Sequence, residues 1–527
     1  PRPCAEIAGL LAATYWVFFH FEAQLLAETW FIFLMLLSFW LFTLLDPPPS
    51  RSRRPWILAA AGLAVGVATI TRPNAVASLP FLVWLVAAKD EGPFRSRLVR
   101  TWPVVAVVAA VTLPVMARNR AIGGLFAIRH HVAINFYLGN RPDAAGWHTI
   151  RPGRDWDRLT YEPEREGGVR DLAGHERWFR DRVLDFARDD PAGFAALQLR
   201  KLGLFWNERE LREIMSPYFL ERWAPLQAAP WLPDFGWIGP LAIVGLVLGL
   251  FERRKPWLLY AFAVPQALVV VLTVVGGRYR LPVVPFLIAF AALAVVRVAT
   301  WIRARRWWPS GAALAAVAVA VPVVHRDVAE PGGFGEELAR VAFVMEERGD
   351  FEEAARWWVE SFREDPTRVE SYVGYSALAL RAGDARRALE ATARGLALGA
   401  ADADLLALRG RAFLRAAQPD SAEVVLAAAL AARPDDPDAL ADLGRALFDL
   451  GRTEDALEAF RRSIVLRPDD PGVLLDAAHV LVEARDARPE ENRIGAARGL
   501  LERVLELDPL NEEARARLAG LPGAPAR

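Results

Sequence analysis

The chain has 527 residues, 54% of them hydrophobic, and 63 acidic against 63 basic side chains, so its formal net charge is zero. A single cysteine, Cys4, excludes an internal disulfide, and a charge-neutral chain gives no reason to expect a nucleic-acid partner. The neutrality conceals a division: residues 331–527 hold 37 acidic and 26 basic side chains, so residues 1–330 carry the opposite excess. The first part is apolar, basic and rich in Trp and Phe. The second is acidic and rich in Ala and Leu. That contrast predicts a membrane domain over 1–326 followed by a water-exposed domain over 327–527.

Apolar runs fall at about 7–20, 25–45, 56–71, 75–88, 102–117, 237–251, 257–275, 281–301 and 309–324. Several are shorter than the ~20 residues of a spanning helix. The chain starts at Pro1 without a signal-peptide pattern, and a preceding segment is expected. Basic stretches at 51–54, 89–100, 252–255 and 303–306 are expected to face the cytoplasm. An even number of runs separates each from the next. The segment 118–236, and everything after 324, then lies outside.

This parity puts several polar residues at one outer level. Glu28 starts a helix there, and Arg72 lies in the turn "ITRPNAV". Arg118 and Asn119 open the large outer loop, and Arg278, Tyr279 and Arg280 form the turn "GGRYRLP". One such arginine is explained by snorkelling to headgroups. A set of them in tight Gly/Pro turns, against the usual cytoplasmic bias, points to a shared anionic ligand. Arginine suits phosphate because its planar fork donates two hydrogen bonds together. The loop stretch "RHHVAINFYLGNRPDAAGWHT" (129–149) follows a strand-like run and offers His131, Asn135 and Asn140 as pocket residues. Adjacent histidines without a third ligand do not make a metal site, so no metal is expected. An amphipathic helix over 189–207 is expected to lay Arg200 and Lys201 along the interface.

The stretches "GLAVGVATITRPNAV", "ARNRAIGG", "NFYLGNRPDAAG", "GRYRLPVVPF" and "LLAETWFIFL", in this order, resemble the bacterial GT-C glycosyltransferases over about residues 5–300. The branch resembled is that of protein O-mannosyltransferases and lipid A aminoarabinose transferases. The resemblance implies a multi-span inverting transferase with an outer loop region of mixed α/β structure. It implies a polyprenyl-phosphate sugar as co-substrate, with no tightly bound cofactor. Arg278, Tyr279 and Arg280 would then hold the donor phosphate, Arg72 would support them, and Glu28 would be structural or acceptor-side. The family's catalytic carboxylate lies in a first outer loop, which is expected upstream of Pro1. No residue of this chain is assigned as the catalytic base.

The second part repeats every 34 residues. Positions 349, 383, 417 and 451 read Gly, Gly, Ala, Gly, while Ala354, Ala388, Ala422 and Ala456 share one register. Pro366, Pro434 and Pro468 close three units. This is the tetratricopeptide (TPR) period, and about five helix-pair units are expected, the last with an insertion at 486–492. Gly444 is expected to admit close helix packing, Ala456 to sit where two helices touch, and Phe460 to fill the gap between them. The combined expectation is an all-α-dominated bacterial inner-membrane glycosyltransferase. Its lipid partners meet it in the bilayer, and its outer TPR array recruits a protein or peptide. The alternatives are an O-antigen ligase or polymerase-type enzyme, and an inactive membrane scaffold with a TPR module.

Overall fold

The computed structural model describes residues 2–23, 27–46, 49–50, 52–129, 132–147, 150, 154–212, 216–222, 229, 231–328, 333–399, 402–484 and 493–522. The chain divides into two compact units, Pro1–Glu330 and Pro331–Arg527. Both are helical, and among the described residues no strand forms.

Among the described residues of the first unit, four helices are long and apolar enough to cross a membrane: Arg54–Thr71, Trp102–Gly123, Val284–Arg303 and Trp307–Val324. Arg2–Thr14 and Trp16–Glu22 add a fifth candidate if their 50° bend lies within one span. The other expected runs form shorter apolar helices: Ala27–Thr43, Pro73–Ala88, Phe235–Leu250 and Trp257–Leu272. Glycine permits the closest pairings. A β-carbon on Gly62 would stand 2.8 Å from the carbonyl oxygen of Val104, and one on Gly66 would meet Val111 at 3.1 Å. Small residues one turn apart thus let Arg54–Thr71 lie against Trp102–Gly123. Phe262 ties the centre of the unit together, its ring stacked on Phe286 and edge-on to Phe39.

The expected α/β outer region is corrected by the structure. Residues 132–222 form Val132–Leu138, Arg154–Thr160, Glu162–Gly167, Leu172–Asp189, Pro191–Phe205 and a 3₁₀ turn, Pro217–Arg222. Its only extended pairing among the described residues is one bridge between Trp147 and Val275. The cause lies in the spacing of the apolar side chains. Ala133, Ile134, Tyr137 and Leu138 recur at the helical period and pack on Phe179.

The described residues of the second unit form five helix pairs. The first helices begin at Gly335, Val369, Ala403, Pro437 and Pro471, each 34 residues after the last. Their partners are Phe351–Glu364, Ala385–Leu396, Pro419–Ala432, Thr453–Leu466 and Arg493–Leu507, and Glu512–Ala519 follows. Asp402, Asp436 and Asp470 cap three of the first helices by accepting backbone N–H bonds. Ala354, Ala388, Ala422, Ala456 and Ala497 are fully buried. Where the two helices of a pair touch, bulk on one is matched by a small residue on the other. A β-carbon on Gly444 would meet the Phe460 ring at 2.9 Å, and one on Gly410 would run into Leu426.

Candidate functional site

The arginine turn is reached through a constrained backbone. The helix Trp257–Leu272 ends at Thr273, and the Val275 N–H donates to Gly146 O at 3.1 Å. A single helical turn, Gly277–Arg280, then carries the two arginines. Gly277 is required here, because a β-carbon would sit 2.6 Å from Glu210 Oε2. Its N–H donates to Leu211 O at 3.0 Å.

Arg278 and Arg280 have different surroundings. Arg278 donates through Nε to Glu28 Oε1, and the same carboxylate oxygen is ion-paired with Arg72. Glu28 is wholly buried in the first turn of Ala27–Thr43, while the Arg72 and Arg278 side chains retain 12% and 18% exposure. The Arg72 guanidinium lies 5.4 Å from the centroid of the Tyr279 ring. Glu28 Oε2 is buried with no hydrogen-bond partner among the described residues. Among the described residues, three segments distant in sequence therefore meet in one partly open cluster that holds Arg72, Arg278, Glu28 and Tyr279.

Arg280 belongs to the framework beneath it. Its guanidinium pairs with Glu210 Oε1 at 2.8 Å, donates to the carbonyl oxygens of Phe205 and Asn207, and stacks 3.7 Å over the Phe235 ring. It is 2% exposed. Tyr15 Oη donates to the same Glu210 oxygen at 3.0 Å, and Tyr218 Oη accepts the Glu210 N–H at 2.8 Å. The expectation that Arg280 and Arg278 hold one ligand is thus corrected. Their side chains serve different carboxylates, and that of Arg280 is enclosed by protein.

Arg72 is positioned from below. Its N–H closes the preceding helix on Ala68 O at 2.7 Å, and Pro73 starts a 3₁₀ turn. Asn74 and the buried Gln266 fix that turn by reciprocal amide bonds, Nδ2 to Oε1 at 3.0 Å and Nε2 to the Asn74 carbonyl at 2.9 Å.

Two of the outer-loop candidates, Asn119 and Asn140, bond to backbone carbonyl groups. Asn140 is fully buried, and its Nδ2 donates to the carbonyl oxygens of Phe136, Leu272 and Thr273. Its Oδ1 accepts from Gln198 and Lys201, both at 2.7 Å. Lys201 was expected along an interface; it is instead wholly buried, with Thr273 O as its second acceptor at 2.9 Å. Burial pushes its pKa down to about 7. A neutral amine has two N–H donors, and Lys201 meets two acceptors. Asn119 closes the turn after its own helix through Ala127 O and Ile128 O, and Arg118 is exposed beside it. Asn135 is half-buried on Val132–Leu138, and His131 lies outside the described residues. Sequence reasoning missed Glu210, Tyr15, Gln266 and Asn74. A buried arginine demands a carboxylate, but Arg280 was expected to hold a phosphate, and nothing in "NEREL" (207–211) identifies Glu210 as its partner.

The second unit carries a separate groove of about 820 Å³ lined by Arg411, Asp442, Arg445, Phe448, Asp476 and His479 among others. Asp442 is 1% exposed and bonds both Arg411 at 2.7 Å and Arg445 at 2.6 Å; Arg445 continues to Asp476 at 2.6 Å. The 31-residue steps from Arg411 to Asp442 and from Arg445 to Asp476 join neighbouring repeats.

Comparison with known proteins concerns this second unit. The tetratricopeptide-repeat family model matches residues 407–471. Similar solved structures include YrrB, a TPR protein with an unusual peptide-binding site (17% identity, TM-score 0.28, 35% of this chain and 91% of that one). PilF of Pseudomonas aeruginosa is 19% identical (TM-score 0.31, 35% and 82%). MamA from Desulfovibrio magneticus RS-1 is 23% identical (TM-score 0.29, 34% and 97%). No curated protein matches the chain.

Proposed function

We propose that the protein is a membrane glycosyltransferase that takes a sugar from a polyprenyl-phosphate donor and whose TPR unit recruits a protein to it. The observation that carries the reading is the meeting of Arg72, Arg278 and Tyr279 at Glu28, in a unit with four helices able to span a bilayer. Guanidinium groups suit a phosphate because their planar forks donate paired hydrogen bonds to it. During transfer the bond between the anomeric carbon and the phosphate oxygen breaks, and its electron pair stays with the lipid phosphate. Arg72 and Arg278 stabilise that developing charge. The acceptor oxygen bonds to the same carbon and releases its proton to a general base. Glu28 orients both cations. The TPR unit supplies the protein-binding surface, and in this reading it stands outside a bacterial inner membrane.

The test is sugar transfer by the protein in proteoliposomes from a radiolabelled polyprenyl-phosphate sugar to envelope extract. Transfer by the wild type and its loss in Arg278→Ala, with the protein still folded, is the expected result. A second reading, a membrane-bound scaffold without transfer activity, draws on the ion-pairing of both carboxylates near the turn, Glu28 and Glu210. It predicts lipid binding with no transfer.

A further inference from the structure

The helices Phe235–Leu250, Val284–Arg303 and Trp307–Val324 border an apolar cavity of about 660 Å³. Val247 and Leu248 line it from the first helix, Trp301 from the second, and Ala312, Ala313 and Ala316 from the third. The short side chains of these alanines leave the third helix's side of the cavity unfilled. The volume lies in the range of sites for lipid-sized or drug-sized ligands.

One end of this cavity is charged. Glu252 holds Arg297 through both carboxylate oxygens, which neutralises that arginine. Arg253 lines the cavity beside them, is exposed, and makes no ion pair or hydrogen bond among the described residues. Arg303, Arg305 and Arg306 are exposed on the turn joining the second and third helices. Trp307 and Trp308 follow at 66% and 87% exposure. Exposed tryptophans beside arginines at a helix end are the composition of a bilayer interface. An apolar slot opening beside an unpaired cation complements a ligand with a hydrocarbon tail and a negative head.

We infer that this groove holds one anionic phospholipid from the leaflet that the basic loops face. Its acyl chain lies along Ala312 and Ala316, and its phosphate rests on Arg253. The site is separate from the Glu28 cluster and its residues, and it rests on the membrane reading of the first unit. A zwitterionic lipid offers the same tail with no net charge, so charge decides occupancy.

The experiment is native mass spectrometry of the protein released from nanodiscs of phosphatidylcholine mixed equally with phosphatidylglycerol. The expected result is one retained phosphatidylglycerol per chain, about fivefold favoured over phosphatidylcholine. Arg253→Ala removes the preference. Ala312→Trp fills the slot and removes retention of either lipid. Arg254→Ala, on the exposed neighbouring position, changes neither. Equal retention of both lipids by the wild type overturns the inference, as does a preference that survives Arg253→Ala. Flotation with phosphatidylglycerol vesicles separates the two levels of failure. Protein that floats but shows no preference refutes this site and leaves the membrane reading standing; protein that does not float refutes both.

Discussion

Arg278 and Arg280 stand two residues apart on one helical turn, and a helix rotates such neighbours by about 200°. That rotation sends Arg278 toward Glu28 and Arg280 toward Glu210. Reading "GRYR" as an open turn concealed it, because a turn sets no fixed angle between its side chains. Removing Arg280 leaves Glu210 buried without its cation, and such broken pairs destabilise by roughly 3–5 kcal/mol. Arg280→Ala is therefore expected to unfold the first unit at much lower temperature in detergent, whereas Arg278→Ala melts close to wild type. Similar melting of the two variants would show that Arg280 is no framework residue. Lys201 gives a second residue-scale prediction. Its pKa falls from the ordinary 10.5 to about 7 on folding, so between these values the unfolded chain holds a proton that the folded chain has released. Stability then rises with pH across that window, and the contribution is flat below 7 and above 10.5. Lys201→Met should flatten the difference in denaturation midpoint between pH 7 and pH 10; an unchanged slope would place the titrating group elsewhere.

At the scale of elements the repeats were legible because one interaction recurs every 34 residues. Gly349, Gly383 and Gly451 all turn the chain between the helices of a pair with positive φ, from 76° to 83°. Ala417 occupies the same position at φ 54° and bears the strain of a β-carbon in the left-handed region. Ala417→Gly should stabilise the second unit by about 1 kcal/mol, read from its urea denaturation midpoint. A loss of stability would mean that the Ala417 methyl group is held by contacts stronger than the strain. The elements of the first unit were less legible. Apolar runs marked where helices form, but their lengths depend on breaks such as Thr273, whose carbonyl oxygen accepts from Asn140 and Lys201, both distant in sequence. The mixed α/β expectation for the outer segment came from the family resemblance, whereas the apolar residues of "VAINFYL" recur at the helical period and pack on Phe179. Asn140 looked like a pocket residue. Its neighbours in "LGNRPDA" carry no sign of the three carbonyl groups it binds.

For the whole molecule, the acidic-to-basic contrast across residue 330 coincides with the division into two compact units. The orientation proposed for the second unit rests on basic loops. A cysteine at the exposed position 382, in a Cys4→Ser background, should react with an impermeant thiol reagent in intact cells. Reaction only after lysis would reverse that orientation and move the TPR groove to the cytoplasm. The central claim is the anion site at Arg72 and Arg278, and its most direct measurement is equilibrium binding of polyprenyl phosphate against the uncharged polyprenol in nanodiscs. Each charge-assisted bond to phosphate is worth ~1.5–3 kcal/mol, so Arg72→Ala and Arg278→Ala should each weaken polyprenyl phosphate binding roughly tenfold to hundredfold. Binding of polyprenol should stay weak and unchanged, and Arg278→Lys should recover only part of the loss. Equal affinity of the wild type for both lipids, or undiminished phosphate binding in folded Arg72→Ala and Arg278→Ala proteins, would contradict the account.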